Sequence, residues 1–339
     1  MKRTKRKATI EQVIRALLDN DTPFSPTWLH RFSDLEASDL EKLKKIWFQI
    51  NPERRLNLLR DLEDLAEADT LVSFDSLARF ALEDSDMRVR AAAIDLLWEC
   101  EDRHLVPVFL DILEKDESPE VRAAAAKALG LFVYLGELEE IPETMLRQIE
   151  DSLLDQFTSN EPKAIRLNAL ESLGYSQREE VIPLIQNAYY SNDIQWMSSA
   201  LCAMGRSADL RWEPVVLEAL DSPTPAIQVE AVRAAGELEL KSARQPLLEL
   251  LENPEALDQD VYFATIWSLS KIGGESVRET LEALLDETED DEEIDLLETA
   301  LENLEFTEDD TIFQMFDFDF SDEEDLRETS EEDEEDHIM

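Results

Sequence analysis

The side chains that could support catalysis or metal binding are few and widely separated in this sequence. The chain of 339 residues contains three histidines and two cysteines: His30, His104, His337, Cys100 and Cys202. A zinc site needs about four such ligands, usually as closely spaced pairs, and none of these residues forms such a pair. There is also no glycine-rich phosphate loop and no recognisable Ser-His-acid set. We therefore predict no catalytic residue, no metal and no cofactor, and a protein that is not an enzyme.

Acidic residues are abundant, with 80 Asp and Glu against 32 Lys and Arg and a formal net charge of −48. Adjacent acids such as Glu139-Glu140 are expected by chance at this density, so we interpret them as solvated surface. An acidic body repels phosphate backbones, which argues against nucleic acid as the main partner. Only the basic start, MKRTKRK, could contact phosphate or an anionic surface, and such an arm is more often a solvated terminus.

Aromatic and arginine side chains cluster between residues 189 and 212. The cluster consists of Tyr189, Tyr190, Arg206, Arg211 and Trp212. Exposed Tyr, Trp and Arg dominate the energetics of protein–protein interfaces, so these residues form a candidate partner-binding surface. The alternative is aromatic packing between neighbouring structural repeats.

A second group of aromatics lies in the acidic C-terminal segment FQMFDFDFSDEEDL. Phe316, Phe318 and Phe320 alternate with aspartates, which places the three rings on one side of an extended chain. They form either a linear motif that docks on a partner or a guard folded back over a groove. Phe313 and Met315 are predicted to cover the apolar end of the last helical repeat, near residues 301–304.

An internal repeat organises the rest of the chain. Similar segments begin at residues 89, 121, 165, 196, 227, 261 and 296, at spacings of 32, 44, 31, 31, 34 and 35. Examples are VRAAAIDLL, VRAAAAKALG and IQVEAVRAAG, with apolar residues at positions one, five, six and nine and mostly Ala at five. This spacing is typical of one face of a helix, and the small residue would let a neighbouring helix approach closely.

Each repeated helix is followed by a turn and usually a second helix that opens near a proline. The prolines are Pro107, Pro183, Pro214 and Pro246, and Gly130, Gly174, Gly205 and Gly236 are predicted C-caps of the preceding helices. Two antiparallel helices of about 31 residues cannot bury both faces alone, so the units should stack. We predict an all-α fold, an α-solenoid of stacked antiparallel helix pairs.

The repeat resembles the short bacterial HEAT repeat of the phycobilisome-lyase-like type, over roughly residues 77–304. The resemblance implies stacking arginines at position two, Arg90, Arg122 and Arg166, with Asp84 or Asp86 as a partner. Deoxyhypusine hydroxylases hold a di-iron centre with repeated His-Glu pairs, which this sequence lacks. The resemblance also leaves a bilin lyase-like, chromophore-handling function as an alternative.

Two features suggest where a partner would bind. The 44-residue spacing implies about 12 extra residues near 133–144, which form either a loop on a binding face or a lengthened turn and second helix. The second helices are expected to line the concave side. Their outward residues are largely acidic or polar, which favours a basic or mixed-charge partner.

The predicted organisation has four parts: a basic disordered arm over 1–8, divergent helical pairs forming a cap over 9–76, the HEAT-like solenoid over 77–305 and an acidic tail with the aromatic segment over 306–339. We predict a cytoplasmic protein-binding scaffold or adaptor, because no apolar stretch is long enough to span a membrane and the two cysteines are far apart. The alternatives are the lyase-like function and association with nucleic acid through the basic arm.

Overall fold

The repeated segments of the sequence fold as helices in the computed structural model, which describes residues 9–306. The chain divides into two compact units, Met1–Asn187 and Ala188–Met339. The helices of unit 1 are α1 (Ile10–Leu18), α2 (Ala37–Ile46), α3 (Pro52–Ala68), α4 (Asp75–Ala81), α5 (Met87–Asp95), α6 (Leu105–Lys115), α7 (Pro119–Glu137), α8 (Glu143–Thr158) and α9 (Lys163–Leu173). Helix α10 (Val181–Tyr189) contains the boundary between the units.

Unit 2 continues the alternation of helices. Its helices are α11 (Ile194–Arg206), α12 (Glu213–Ala219), α13 (Pro225–Glu237), α14 (Arg244–Leu251), α15 (Gln259–Ile272), α16 (Val277–Glu287) and α17 (291–306). Short 3-10 helices occupy Pro26–Phe32, Trp47–Gln49, Leu210–Trp212, Lys241–Ala243 and Pro254–Ala256. Over residues 9–306 there is no strand, so the all-α prediction is confirmed for this range.

Within each unit the helices that carry the repeated motif, here called motif helices, form one layer. In unit 1, α7 packs between α5 and α9, and in unit 2, α13 packs between α11 and α15. Each second helix, such as α6 or α12, packs mainly against a motif helix, and second helices are spaced more widely from one another. The expectation that second helices line a concave side stays a prediction.

The small residue at position five of the motif has the predicted role. Ala125 and Ala169 in unit 1 and Ala200 and Ala231 in unit 2 are fully buried. A larger side chain at these positions would meet a neighbouring helix in a close-packed interior. This part of the sequence analysis is confirmed.

Gly174 is the C-cap of α9 as predicted, whereas the other three motif glycines act differently from the prediction. Gly130, Gly205 and Gly236 lie inside α7, α11 and α13 rather than at a left-handed C-cap. A Cβ atom at Gly130 would lie 2.8 Å from the Oγ of Ser172, and one at Gly236 would lie 2.9 Å from the Cα of Ser268. Glycine is required here because the neighbouring motif helix approaches too closely for any side chain.

A serine on that neighbouring helix completes the contact in both units. The hydroxyl of Ser172 on α9 donates to the carbonyl of Ala126 on α7 at 2.8 Å, and that of Ser268 on α15 donates to Val232 on α13 at 2.9 Å. Both hydroxyls are buried and satisfied by these bonds. We call this repeated glycine–serine contact the Gly–Ser lock.

The extra residues after residue 121 do not form a binding loop. Helix α7 has 19 residues and α8 has 16, so the insertion lengthens both helices of one pair. The alternative of a lengthened second helix was correct. The sequence analysis did not anticipate that the motif helix would be extended as well.

The stacking arginines have a different acidic partner from the one implied by the resemblance. Arg90 forms a two-pronged ion pair with Asp116, at 2.9 and 2.8 Å, and donates to the carbonyl of Asp84. The Asp84 carboxylate instead binds the buried Arg55 at 3.0 Å and accepts the indole N–H of Trp47 at 2.6 Å. This buried group joins α3 to the segment that precedes α5.

The predicted four-part organisation, with boundaries at residues 9, 77 and 306, stays a prediction. The observed division falls after Asn187, inside a helix. Among the described helices, none combines the length and the apolar character needed to cross a bilayer.

Candidate functional site

The structure separates the predicted aromatic–arginine cluster into two groups. Tyr189 and Tyr190 end α10 and contact each other edge to face, with ring centroids 5.2 Å apart. Arg206 ends α11, whose 13 residues span about 20 Å at 1.5 Å per residue. Because the tyrosines precede the start of that helix, the two groups do not form one continuous patch.

Trp212 does not belong to the accessible surface. Its side chain is only 3% exposed, at the end of the 3-10 turn that leads into α12. Asp209 caps this turn through the backbone N–H of Arg211 at 2.9 Å and also forms an ion pair with the Arg211 side chain. The prediction that Trp212 contacts a partner is therefore wrong, because the turn directs the indole into the core of unit 2.

The remaining predicted residues have different outcomes. Tyr190 is 69% exposed, and Arg211 lies beside Leu210, which is also exposed. Arg206 lies on α11 in an intermediate environment. Phe316, Phe318 and Phe320 lie outside the described residues, as do Phe313 and Met315, so their roles stay predictions.

A better-defined surface lies on the motif helices of unit 1. On α5, α7 and α9, and in the turns that follow α5 and α9, one stripe of residues spaced three or four apart is at least partly accessible, whereas the other sides pack against neighbouring helices. The stripes are Ala91, Asp95 and Trp98; Lys127, Leu131 and Tyr134; and Asn168, Glu171 and Tyr175. Together with Glu63 on α3 we call this surface the free face of unit 1.

Large aromatic side chains stand out on the free face. Trp98 is 46% exposed and Tyr134 is 45% exposed. The Tyr134 ring contacts that of Tyr175 with centroids 5.4 Å apart, which shows that the stripes of α7 and α9 lie side by side. Exposed rings of this size on one face are typical of a binding surface.

Two half-buried carboxylates lie on the same face. Burial raises the pKa of Asp95, an effect that the charges of Lys127 and Arg60 oppose. Burial also raises the pKa of Glu63, and the nearby Asp95 carboxylate raises it further. Acids held in a partly dehydrated setting are favourable partners for a cation, which would relieve the cost of their ionisation.

Unit 2 contains an open cleft of about 770 Å³ between the start of α15, the end of α16 and the start of α17. Its lining residues are Pro254, Leu257, Gln259, Tyr262, Phe263, Leu284, Glu287, Thr288, Glu289, Asp290 and Glu293. Glu293 accepts the Tyr262 hydroxyl at 2.5 Å and that of Thr288 at 2.8 Å. Burial, and then the bond to Glu293, raise the pKa of Tyr262, so its phenol stays protonated and donates.

The sequence analysis missed Trp98, Tyr134 and this cleft. A signal was present for the first two, because both lie off the buried stripe that the motif defines. Trp98 is at position ten and Tyr134 at position fourteen, where a helix presents a side away from its buried alanine at position five. The cleft joins residues up to about 40 apart in the chain and has no comparable signal.

Within residues 9–306, no group of three or more His, Cys, Asp or Glu side chains is arranged to hold a metal ion. His104 binds the Asp102 carboxylate through Nδ1 at 2.6 Å and is largely exposed, and His30 lines a separate cavity with Arg31 and Asp39. Neither arrangement resembles a ligand set.

The repeats match a known family. A family model described as HEAT repeats matches residues 74–143 and 213–302, which lie in unit 1 and unit 2 respectively. No curated protein matches the chain.

Several solved structures resemble this chain at low identity. Human deoxyhypusine hydroxylase in complex with glycerol is 13% identical, with a TM-score of 0.36, over 88% of this chain and 96% of that chain. The CpcE–CpcF complex of phycocyanin lyase from Nostoc is 19% identical, with a TM-score of 0.44, over 68% and 94% of the two chains. The Escherichia coli protein YibA is 17% identical, with a TM-score of 0.40, over 89% and 99%. The match to the family model shows that residues 74–143 and 213–302 contain HEAT repeats.

Proposed function

We propose that this chain is a non-catalytic protein-binding scaffold of the HEAT-solenoid type, and that the free face of unit 1 is a contact surface for its partner. The observation that carries the proposal is the exposure of nearly half of each side chain of Trp98, in the turn after α5, and of Tyr134, on the neighbouring motif helix α7. Aromatic anchors of this kind supply much of the binding energy at protein interfaces.

The charges beside these rings support a basic or mixed-charge protein partner. Glu63 and Asp95 lie half-buried on the free face, and Lys127, on the same helix as Tyr134, is close enough for its charge to oppose the rise of the pKa of both carboxyl groups. A partner cation near the two carboxylates would be favourable, and a partner carboxylate could reach Lys127. The net charge of −48 would also accelerate the approach of a basic protein.

We also propose that the chain binds this partner in the cytoplasm. Neither Cys100 nor Cys202 forms a disulfide, as expected of a reducing compartment. The likeness to phycocyanin lyase and deoxyhypusine hydroxylase is one of fold, so it transfers neither a chromophore nor a metal to this chain.

Site-specific photocrosslinking tests the contact surface. A benzophenone amino acid placed at Trp98 or Tyr134 of the full chain should form the same protein adducts in a native lysate, identified by mass spectrometry. The matched control is the same amino acid at Leu71, an 89% exposed residue in the α3–α4 connection of unit 1.

The double substitution Trp98→Ala with Tyr134→Ala should abolish capture of that partner with little change in melting temperature, because both rings are only partly buried. Equal adducts from position 71, or capture that survives the double substitution, would show that the free face is not the contact surface.

A further inference from the structure

A second binding site is suggested by the cleft of unit 2, which combines an apolar floor with an acidic rim. Leu257, Phe263 and Leu284 contribute half-buried apolar surface to the floor. The rim carries Glu287, Glu289, Asp290 and Glu293, and none of the lining residues is basic. An occupant of the cleft must therefore match both the apolar floor and the negatively charged rim.

Two of the four rim acids, Asp290 and Glu293, are held in place by hydrogen bonds within the fold. Both carboxylate oxygens of Glu293 accept hydroxyl groups, from Tyr262 and Thr288. Asp290 accepts the backbone N–H groups of Glu292 and Glu293 at 3.1 Å, which fixes it at the start of α17. Preorganised acceptors lose little conformational freedom when a ligand binds.

The charge around the cleft defines the sign of its occupant. Residues 286–306 carry eleven acidic side chains and no basic one. Within this field an anion is repelled, and a cation is attracted both by the rim and by the longer-range potential. The Phe263 ring on the floor adds a face on which a guanidinium or ammonium group can rest.

Arginine and lysine fit both parts of such a site, because their aliphatic stems pack on apolar surface while the charged head reaches polar groups. We propose that the unit 2 cleft binds a basic, amphipathic segment of a partner protein, in which arginine or lysine alternates with an apolar residue such as leucine. This proposal rests on the proposed function only in that both involve binding to a protein. It uses residues of unit 2 and none of the free face of unit 1.

The test measures fluorescence anisotropy of labelled peptides with the purified full chain. The probe is GRLGRLGRLG. One comparator, GRSGRSGRSG, keeps the charge and removes the apolar residues, and another, GELGELGELG, reverses the charge. We expect the probe to bind about tenfold more tightly than the serine peptide, since apolar contact adds to charge. The acidic peptide should not bind.

Two charge-matched variants separate the cleft from the general acidity of the protein. Glu287→Gln with Glu289→Gln removes two rim charges, whereas Glu298→Gln with Glu302→Gln removes two exposed charges of α17 that do not line the cleft. The first pair should weaken probe binding about fivefold or more, and the second less than about twofold. Phe263→Ala should weaken the leucine probe and leave the serine peptide unchanged.

Several results would overturn the proposal. Equal losses of probe affinity in the two double variants would show that binding depends on the overall electrostatic field. Equal affinities of the leucine and serine peptides would show that the apolar floor does not contribute. Tighter binding of a peptide with the sequence MKRTKRK would identify the chain's own basic start as the occupant. Trp98→Ala with Tyr134→Ala should leave probe binding unchanged. A failure of the proposed contact on unit 1 can therefore be distinguished from a failure of the proposed site in the unit 2 cleft.

Discussion

The buried ion pair between Arg55 and Asp84 illustrates how single residues anchor the first repeat to the helices before it. Arg55 is 3% exposed and Asp84 is 2% exposed, and the guanidinium also donates to the carbonyls of Trp47 and Ile50. Taking two charges out of water is costly, so such a pair contributes less net stability than its geometry suggests. Removing one of the two charges, however, leaves the other charge buried and uncompensated.

We predict that Asp84→Asn lowers the free energy of unfolding by about 3–5 kcal/mol, because Arg55 would remain buried without a counter-charge. Urea unfolding of the full chain measures this. The comparison is Glu53→Gln, which breaks the exposed 2.6 Å pair with Arg88 and should cost less than about 1 kcal/mol. Similar losses for the two variants would contradict the role assigned to burial.

Removing the half-buried carboxylate of Asp95 on the free face is expected to stabilise the protein, whereas removing that of Asp84 destabilises it. The effect at Asp95 depends on pH. Burial raises its pKa in the folded chain, so ionisation of this group costs stability above the ordinary aspartate pKa of about 3.9. Asp95→Asn should therefore raise the melting temperature at pH 7. The gain should shrink as the pH falls through the raised pKa and disappear below the ordinary aspartate pKa, because the carboxyl group is then protonated in both folded and unfolded chains.

Asp86 supplies the matched comparison for this experiment. Its bond to Arg88 lowers the pKa of Asp86, so its contribution is present above the unfolded pKa and is lost as the pH falls. Asp86→Asn should lower the melting temperature at pH 7 and have little effect at low pH. The same sign for both substitutions at pH 7 would contradict the assignment.

At the scale of helices, the Gly–Ser lock determines how closely the motif helices pack. In α13 the glycine has no room for a methyl group, since a Cβ atom at Gly236 would lie 2.7 Å from the Oγ and 2.9 Å from the Cα of Ser268. Glycine inside a helix normally costs about 0.5–1 kcal/mol relative to alanine. Burial of the two helix faces against each other, which the close approach allows, offsets this cost.

We predict that Gly236→Ala destabilises the protein by about 1–3 kcal/mol, although helix propensity alone predicts stabilisation. The control is Arg233→Ala, an exposed position on the same helix paired with Glu230, which should change stability by less than about 1 kcal/mol. Thermal and urea unfolding report both. A more stable Gly236→Ala variant would show that the helices can separate without loss.

At the scale of the whole molecule, charge is the dominant property. The net charge of −48 is unevenly distributed, and from Asp286 to the end of the chain there are 27 acidic residues and one base. Self-repulsion of this size destabilises a compact state, and the electrostatic field attracts positively charged molecules. Both proposed binding surfaces combine this field with local apolar contacts, and it is these contacts that distinguish a specific partner from any basic protein.

The helical repeat could be predicted from the sequence because periodic burial is a local property. Val121, Ala125 and Leu129 recur at helical spacing, and all three are fully buried in α7. The prolines that open second helices are equally local, because a residue in the first turn needs no intrahelical N–H partner. These features specify helices and their pairing without reference to distant parts of the chain.

The sequence by itself determined the helix class, the repeat and the acidic character of this protein. The tertiary structure decided which residues a partner can reach. Trp98 and Trp212 are both tryptophans near the end of a helix or turn, yet one is 46% exposed and the other 3%. Arg90 likewise pairs with Asp116 because Asp84 is already bound to Arg55. Accessibility and the choice of partner depend on which neighbouring helices cover a side chain, and contacts between residues distant in sequence are not encoded in local periodicity.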